Sequence, residues 1–555
     1  TRKFTFEIDF GTTNTHIEYS SDTGRNYQPF DIRDHEIQIV KLHSREARIP
    51  GEIRQTFDHD FIPEIIETDG QYSYPMRTAL SVSKNANYQT SMFALADVNI
   101  PFTYEREVQK HYNSCITNLK WSGQSSDNSK QVELYLENLF LIIRNKVILN
   151  GGKLDDTKIV WFYPASMLEH RYNNFRLIWE SLYRKYIGSN LNNLLTMSES
   201  IAPYYYYSSS KGARRNVVSV DIGGGSTDVV IIEETMPTLL TSFRYAADAV
   251  FGDGYGFDSD TNGFVCDFKD KINKSLRDNE LFDLCKILES IESQKRSADI
   301  IAFFFSLASN RDIRSKNIKI HFADMLSDNG KYKIVFILFY VSVMYHIAGI
   351  MKAKNMAMPR YITFSGTGSK ILRILSPENR VIEEFTLLIF EKIFGTVYGP
   401  DGLTIIRNEE NPKEATCKGG LYNPVNQHYD SIDKIKATLI GFDRNTFADK
   451  TTRYTNFSDN NLNSIVEETR RFIEFAFSLN DEFPFHKKFG AELKNLNEIK
   501  ELSNRDIIQH LQDGFDKKQK ELALTGTDQP IEETLFFYPL IGIINSLVRH
   551  IFNKS

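Results

Sequence analysis

The chain has 555 residues, about twice the ~250–300 at which a single hydrophobic core stops growing, so at least two lobes are expected. Hydrophobic residues make up 41% and charged residues 25%, which is typical of globular proteins and excludes a disordered chain. A net charge of −6 argues against a general nucleic-acid binder, so no nucleic-acid partner is expected. The four cysteines are scattered without a CxxC pair, which predicts neither a zinc site nor a disulfide framework and favours a cytoplasmic location. The sequence begins at Thr1 rather than Met, so whether residues precede it stays open.

One apolar run approaches the length of a membrane span. Residues 334–351 (IVFILFYVSVMYHIAGIM) are 18 in number, near the lower limit for crossing a bilayer as a helix. The run contains His346 and two tyrosines, and it is followed by polar MKAKN and a strand-like YITFS. We therefore predict a buried helix that leads into a sheet, and no membrane partner is expected.

The first residues predict a hairpin. Phe4, Phe6, Ile8 and Phe10 alternate with polar residues, which indicates a half-buried strand, and the sequence GTTN then turns the chain into a returning strand, THIEYS.

A similar hairpin is predicted at residues 216–233 (NVVSVDIGGGSTDVVIIE), where two β-branched strands flank an Asp-x-Gly turn. The aspartates of the two hairpins, Asp9 and Asp221, are 212 residues apart, which predicts two similar lobes.

The residue types at both hairpin tips suit a phosphate site. Glycines let backbone N–H groups approach oxyanions, and threonine and serine hydroxyls add donors. The aspartates do not donate, so we expect Asp9 and Asp221 to orient a hydrated Mg²⁺ beside a triphosphate. The alternative is that both tips are ordinary tight turns. The predicted phosphate-binding residues are Gly11, Thr12, Thr13, Asn14, Gly223, Gly224, Gly225, Ser226 and Thr227.

Two other motif interpretations fail on their context. Asp9-Phe10-Gly11 spells the metal-binding triad of protein kinases, but no glycine-rich loop or catalytic loop precedes it. No GxxxxGK[ST] occurs, and DIGGGST is followed by a β-branched stretch rather than a helix, which argues against P-loop and dinucleotide folds.

The ordered segments resemble the actin-like ATPase superfamily, and they are most similar to the nucleotide-binding domain of seventy-kilodalton heat-shock chaperones, in a divergent bacterial-type form. DFGTTNTHI resembles the first phosphate motif of that family, VSVDIGGGSTDVVII the second, and KIVWFYPASMLEHRYNNF the strand and helix between them. SESIAPYYYY resembles the segment whose glutamate lies near the attacking water, which falls on Glu199. The resemblance implies ATP and Mg²⁺ as cofactors, with Asp9, Glu199 and Asp221 as the catalytic residues.

Further segments resemble the adenosine-binding parts of the family. IESQKRSAD has the E-x-x-K-R spacing of the adenosine clamp, which would place three side chains on one helical face; an ordinary solvated helix face is the alternative. YITFSGTGSKIL resembles the last adenosine motif, a strand that ends in Gly-x-Gly. Lys120 lies where the family has a catalytic lysine, but its flanking sequence differs, and we expect a surface lysine there. The resemblance assigns nucleotide binding to Glu292, Lys295, Arg296, Gly366, Thr367, Gly368 and Lys370.

The fold class implied is α/β: a two-lobed actin-like ATPase fold with duplicated ribonuclease-H-like lobes and a helical C-terminal extension. DAVFGDGYGFD resembles the family's glycine turn, and NPKEATCKGGLY its closing helix, which would end the ATPase unit near residue 425. The predicted divisions are 1–205, 206–425 and 426–555.

The segment after residue 425 predicts helices rather than a peptide-binding β-sandwich. Ser458 or Asp459 is expected to cap one helix. Ser503 is expected to cap a second, whose apolar residues are Ile507, Ile508, Leu511 and Phe515, and Pro539 is expected to kink or interrupt a third. This segment serves either as packing for the ATPase lobes or as a module that binds a partner.

The function predicted is a slow ATPase switch of the heat-shock-chaperone type, in which closure of the lobes over Mg-ATP controls a protein partner or client. The alternatives are a filament-forming actin-like ATPase, a sugar-type kinase and a nucleotide sensor that hardly turns over.

Overall fold

The computed structural model describes residues 2–21, 27–36, 76–83, 98–99, 112–117, 119–120, 126–164, 167, 169–256, 259–293, 295–407, 413–422, 433–435, 453–454, 458–492, 496–523, 531 and 534–554.

Fifteen strands lie in these ranges. In chain order they are β1 (Thr5–Phe10), β2 (Asn14–Ser20), β3 (Gln28–Pro29), β4 (Met76–Arg77), β5 (Ala79–Ser83), β6 (Val98–Asn99), β7 (Tyr112–Thr117), β8 (Lys158–Tyr163), β9 (Leu194–Ser198), β10 (Val217–Ile222), β11 (Thr227–Glu233), β12 (Met236–Phe243), β13 (Tyr361–Ser365), β14 (Thr404–Arg407) and β15 (Asp433–Ile435).

The described ranges also contain eighteen α-helices. They are α1 (Ser126–Leu149), α2 (Glu169–Tyr186), α3 (Ala202–Ser210), α4 (Ala247–Phe251), α5 (Gly263–Asp278), α6 (Phe282–Glu292), α7 (Ser297–Ser306), α8 (Arg311–Ser315), α9 (Phe322–Ser327), α10 (Lys333–Ala353), α11 (Lys370–Leu375), α12 (Asn379–Phe394), α13 (Glu414–Tyr422), α14 (Asp459–Glu482), α15 (Phe485–Phe489), α16 (Leu496–Arg505), α17 (Ile507–Ala523) and α18 (Phe537–Asn553).

Two large sheets repeat one topology. The first has the order β3-β2-β1-β8-β9, with β1 antiparallel to β2 and parallel to β8, which is itself parallel to β9. The second has the order β12-β11-β10-β13-β14 with the same orientations, and it gains β15 beside β12. A third, smaller sheet has the order β6-β5-β7. The repeated order confirms the predicted two-lobed α/β fold, and both predicted hairpins are present as β1–β2 and β10–β11.

The expectation that the first strand is half-buried is wrong. The apolar side chains of β1 pack with α1 and α2, but the alternate residues Glu7 and Asp9 are buried as well. On their side of the sheet lies α13, whose Cys417 Sγ is 3.4 Å from the backbone oxygen of Glu7. A central strand covered on both faces gives its polar residues a buried environment, which alternation alone does not reveal.

The apolar run forms α10, and every residue of the helix except Lys352 is buried. The segment Gly330–Ala353 is long and apolar enough to cross a membrane, but its most apolar part is wholly buried inside the protein. The chain then enters β13, so the predicted buried helix leading into a sheet is confirmed.

The segment after residue 425 is helical in its described parts, as predicted, and Ser458 caps α14 by accepting from the backbone N–H of Asn461. Two details differ from the expectations. Ser503 lies inside α16, where its hydroxyl donates to the backbone oxygen of Ile499, and Ile508 is exposed. Pro539 lies in the first turn of α18, where the missing N–H has no helical partner to lose, so the helix continues without interruption.

The C-terminal helices share one hydrophobic core with the second lobe. Phe537 of α18 stacks on Phe243 of β12, with ring centroids 4.4 Å apart, and on Tyr245 at 4.5 Å. The same core extends through α10, α14 and α17. Packing against the lobe is therefore one role of these helices, while the division at residue 425 stays a prediction and lies outside the described residues.

Candidate functional site

Each lobe places an aspartate at the same position of its hairpin. Asp9 is the penultimate residue of β1 and pairs with His16, and Asp221 is the penultimate residue of β10 and pairs with Asp228. The Asp9 carboxylate contacts Lys413, and the Asp221 carboxylate contacts Ser365 and Thr416. Two hairpins of the same design therefore present the same residue type at their tips.

The two tips meet in space. A Cβ added to Gly224 would overlap the Oγ1 of Thr13, so the second tip approaches the first as closely as a residue without a side chain permits. Asp248 and Ala247, at the start of α4, donate their backbone N–H groups to the carbonyls of Gly224 and Gly223. The predicted convergence of the two hairpins is confirmed.

Lys413 joins the two aspartates. Its Nζ donates to Asp9 Oδ2 at 2.7 Å, and both side chains are buried. Burial alone would lower the pKa of Lys413, but the carboxylates of Asp9, Asp221 and Glu199 outweigh it and raise that pKa. Thr416, one turn further along α13, donates its hydroxyl to Asp221 Oδ2 at 3.1 Å. One segment of chain thus holds both hairpin aspartates.

Glu199 forms a buried ion pair with Lys120. Burial raises the pKa of Glu199, although the charge of Lys120 opposes the shift and that of Asp9 adds to it. The expectation of a surface lysine at Lys120 is therefore wrong. The apolar neighbours Leu119 and Trp121 were the only available signal, and they do not specify a buried ammonium.

Burial also raises the pKa values of two carboxyl groups in the second hairpin. It raises the pKa of Asp221 to about 6, with Lys413 opposing and Asp9 adding to the shift. It raises the pKa of Asp228 to about 6 as well, and the nearby Glu199 carboxylate contributes. The site therefore contains several carboxylates whose charge is poorly solvated.

The charges and donors of this cluster fit a hydrated divalent cation. Among the described residues of this cluster, four carboxylates lie beside two ammonium groups, and such an acidic surplus suits a cation. Asp9 Oδ1 is buried without a hydrogen-bond partner among the described residues, while Oδ2 accepts a hydrogen bond from Lys413. The described part of the chain has no group of three His, Cys, Asp or Glu side chains arranged as metal ligands. A hydrated Mg²⁺ would need few protein oxygens, since that ion keeps most of its water. The carboxylates are Asp9, Glu199, Asp221 and Asp228, and the ammonium groups are Lys120 and Lys413.

A cavity of about 280 Å³ lies beside the joined tips. Its walls come from both hairpin tips, the glycine turn after α4, the start of α7 and the C-terminal helices. Asp9, Asp221 and Glu199 do not line it. The charged and hydroxyl residues of the lining are Thr12, Thr13, Arg77, Thr117, Arg244, Asp248, Asp253, Tyr255, Arg296, Asp299, Lys517, Lys518 and Tyr538.

A buried polar bridge joins the two lobes at this cavity. Arg77 of β4 forms an ion pair with Asp299 of α7 and donates to the backbone oxygen of Thr13 at 3.4 Å. Thr117 of β7 donates to Asp299 Oδ2 at 2.9 Å and accepts from Arg296 at 3.2 Å. Thr13 and Arg296 were predicted site residues, but Arg77, Thr117 and Asp299 were not, and Arg77 lies in a strand of two residues with no recognisable motif around it.

Only some of the predicted phosphate-binding residues line the cavity. Thr12, Thr13 and Gly225 line the cavity. The N–H groups of Gly11 and Gly223 instead donate to the backbone oxygens of Asp9 and Ser226. The remaining four residues lie in the hairpins outside the lining: Asn14, Gly224, Ser226 and Thr227.

The predicted single helix for the adenosine clamp is wrong. Helix α6 ends at Glu292, Lys295 has a left-handed φ of +53°, and Arg296 precedes α7 in an extended conformation. Glu292 pairs with Lys269 outside the cavity, and Lys295 has an exposed side chain. Only Arg296 reaches the lining, so binding by the other two stays a prediction.

The Gly-x-Gly turn after β13 packs against the second tip. Gly366 has φ +78°, and a Cβ there would overlap Asp221 Oδ1, while a Cβ on Gly368 would lie 2.5 Å from the backbone oxygen of Gly223. Both glycines are therefore required by the protein's own packing. Lys370 begins α11, and burial, with a contribution from Arg373, lowers its pKa. Nucleotide binding by Gly366, Thr367, Gly368 and Lys370 stays a prediction, since none of the four lines the cavity.

The chain has a likeness of fold to several solved structures. No protein-family model and no curated protein matches the chain. Similar solved structures include MreB5 of Spiroplasma citri bound to ADP, at 12% identity and TM-score 0.34 over 76% of this chain and 95% of that one. A MamK double helical filament has 11% identity and TM-score 0.37 over 76% and 98% of the two chains. The ethanolamine utilization protein EutJ from Carboxydothermus hydrogenoformans has 11% identity and TM-score 0.28 over 76% and 90%. This likeness extends to the fold alone, and closeness to heat-shock chaperones stays a prediction.

Proposed function

We propose that the cavity binds a nucleoside triphosphate, ATP by the sequence resemblance, and that slow hydrolysis switches the contact between the two lobes. The observation that carries the proposal is the meeting of two aspartate-bearing hairpin tips beside one cavity. Thr12, Thr13 and Gly225 bring hydroxyl and backbone donors from both lobes to that cavity. A ligand held by both tips would link the lobes.

The charge and size of the cavity support a phosphorylated ligand. Its lining has five cationic and three acidic side chains, a surplus that favours an anion. Its volume of about 280 Å³ is near the lower end of small-molecule sites, roughly 300–1,000 Å³. Arginine is well suited to phosphate because its planar group donates two parallel hydrogen bonds.

Hydrolysis would require the tips to separate. Asp9 and Glu199, the predicted catalytic residues, do not line the cavity, whereas Thr13, at the contact between the tips, does. We infer that the closed tips account for slow turnover, because the ligand reaches the carboxylates only when the lobes move. Asp9 and Asp221 would hold a hydrated Mg²⁺, which supplies positive charge to the phosphate oxygens when bound.

Calorimetric titration with ATP, ADP and a non-hydrolysable ATP analogue tests the binding. We expect the wild-type protein to bind all three, and Thr13→Val to weaken binding by roughly 10-fold or more because a hydroxyl donor to a charged group is lost. Thr196→Val, at an exposed position of β9, is the matched control. Absence of binding to the wild-type protein would refute the proposal.

Phosphate release tests the catalytic part separately. Glu199→Gln is expected to slow release by ~10²-fold while ATP still binds, because the variant no longer positions the attacking water. If Glu199→Gln releases phosphate at the wild-type rate, the assignment of Glu199 is wrong. Release without any acceptor molecule would argue against the sugar-type kinase.

Filament formation is the second candidate function. A filament is named among the similar structures described above and a heat-shock chaperone is not, so the chaperone type gains no support from them. Sedimentation with and without ATP separates the candidates: a filament pellets with nucleotide, whereas a switch acting on another protein stays in the supernatant. A cytoplasmic location is part of the proposal, and Cys285 and Cys417 are buried thiols.

A further inference from the structure

The C-terminal helices form one wall of the cavity. Gly514, Lys517 and Lys518 of α17 line it, together with Tyr538 and Ile541 of α18. The three residues of α17 have the spacing i, i+3 and i+4, so they lie on one helical face. This part of the chain had no predicted role in ligand binding.

Close packing brings that face to the cavity. A Cβ on Gly514 would lie 2.7 Å from the ring of Tyr538 and 2.8 Å from the hydroxyl of Tyr255, so α17 approaches the glycine turn where a side chain would not fit. One turn later, Lys517 Nζ lies 5.8 Å from the centre of the Tyr255 ring. The absence of a side chain at Gly514 therefore allows α17 to bring Lys517 and Lys518 to the cavity.

The wall is held to the second lobe by several contacts. Tyr255 donates its hydroxyl to the backbone oxygen of Tyr538 at 2.7 Å, and Asn545 of α18 donates to the backbone oxygen of Gly252 at 3.1 Å. The stacking of Phe537 on Phe243 and Tyr245 fixes the start of α18. A ligand that contacts α17 would therefore contact helices that are packed against the second lobe.

The charges at this wall favour an anion. Lys517, Arg77 and Arg244 all lie near the buried carboxyl of Asp248, and Asp299 is a second acidic neighbour there. Over the whole lining, five cationic side chains face three acidic ones, and this surplus favours an anionic ligand. The cations come from the first lobe, the second lobe and the C-terminal helices, and they meet at one cavity.

We propose that Lys517 and Lys518 bind the phosphate groups of the nucleoside triphosphate, so that the C-terminal helices are part of the binding site. This inference rests on the proposed function and adds residues to its site. Its consequence is that ligand binding and the attachment of α17 to the cavity stabilise each other.

Calorimetric titration of the full chain tests this assignment, with ATP and inorganic tripolyphosphate as probes. Lys517→Glu combined with Lys518→Glu should weaken binding of both probes at least tenfold, since two attractive charges become repulsive. Lys520→Glu reverses a charge on the exposed face of α17 and should stay within threefold of wild type. The single variant Lys517→Met removes one positive charge without adding a negative one. Its affinity for the two probes decides the question if the double variant does not fold.

The outcomes separate the two proposals. Wild-type affinity in the folded double variant, or in Lys517→Met if only that variant folds, overturns the role of α17 and leaves nucleotide binding intact. Binding of tripolyphosphate but not of ATP by the wild-type protein, lost in the variant, refutes the nucleotide and supports the lysines. No binding of either probe overturns both.

Discussion

The Lys413 ammonium lies 2.7 Å from Asp9 Oδ2, although 404 residues separate the two in the chain. Because Asp221 and Glu199 also act on it, this ammonium neutralises carboxylates from both lobes. The contact therefore connects the first strand of the protein, the second hairpin and the helix α13.

Lys413→Met should lower the free energy of unfolding by about 3–5 kcal/mol, because it leaves buried carboxylates without their partner. Lys418→Met is a matched control on α13, where a half-buried lysine pairs with Glu414 one turn away, and it should cost under about 1 kcal/mol. Urea unfolding of both variants measures the difference. Equal midpoints for the two variants would contradict the importance of the Lys413–Asp9 contact.

Gly224→Ala should destabilise the protein by about 1–3 kcal/mol, since the new Cβ would overlap Thr13 Oγ1 and force the tips apart. Thr13→Ala in the same chain removes that oxygen and should restore part of the loss. Gly223→Ala is the control, because its Cβ would lie 3.2 Å from the nearest atom, the backbone oxygen of Ser226. The thermal unfolding midpoint measures the effect; no rescue by Thr13→Ala would argue against contact between the tips.

Local patterns predicted the hairpins, the strand before Gly366 and the helix α13, because alternation and turn chemistry act over a few residues. They did not predict which distant residues contact the site residues. The segment around Lys413 indicates a helix but not that its first turn meets a strand 404 residues away. The break after Glu292 depends on a left-handed residue, Lys295, in a sequence with good helical spacing. Such features depend on tertiary contacts rather than on neighbouring residues.

Arg77 and Asp299 should be energetically coupled across the lobes. Both side chains are buried, so Arg77→Met and Asp299→Asn should each cost about 3–5 kcal/mol. The free energy of unfolding lost by the double variant should be about 0.5–3 kcal/mol smaller than the sum of the losses of the two single variants, because the second change removes a charge that is already unpaired. A double-mutant cycle from urea midpoints measures this coupling, and strict additivity would show that the pair does not hold the lobes together.

Asp228→Asn should gain stability relative to the wild-type protein as pH rises from 5 to 7. The pKa of this buried carboxyl is raised to about 6, mainly by burial and then by Glu199, from an ordinary value of 3.8. Between these values the unfolded chain releases a proton that the folded protein keeps, so the wild-type protein loses stability from about pH 3.8 until the folded carboxyl also ionises near pH 6. Between pH 5 and 7 the relative gain should be about 1–1.5 kcal/mol, measured by urea unfolding at each pH with the exposed Asp312→Asn as control. A difference that does not change with pH would contradict the raised pKa.

Phe537→Ala should cost about 3–5 kcal/mol and lower the midpoint of the whole second lobe, because the ring stacks on two aromatic residues of its core. Phe282→Ala, at an exposed phenylalanine of α6, is the control and should have little effect. The informative measurement is the number of unfolding transitions seen by calorimetry. If the C-terminal helices share the core of the lobe, the variant unfolds in the same number of transitions as the wild-type protein, at lower temperature. An additional early transition would instead show that these helices unfold as an independent unit.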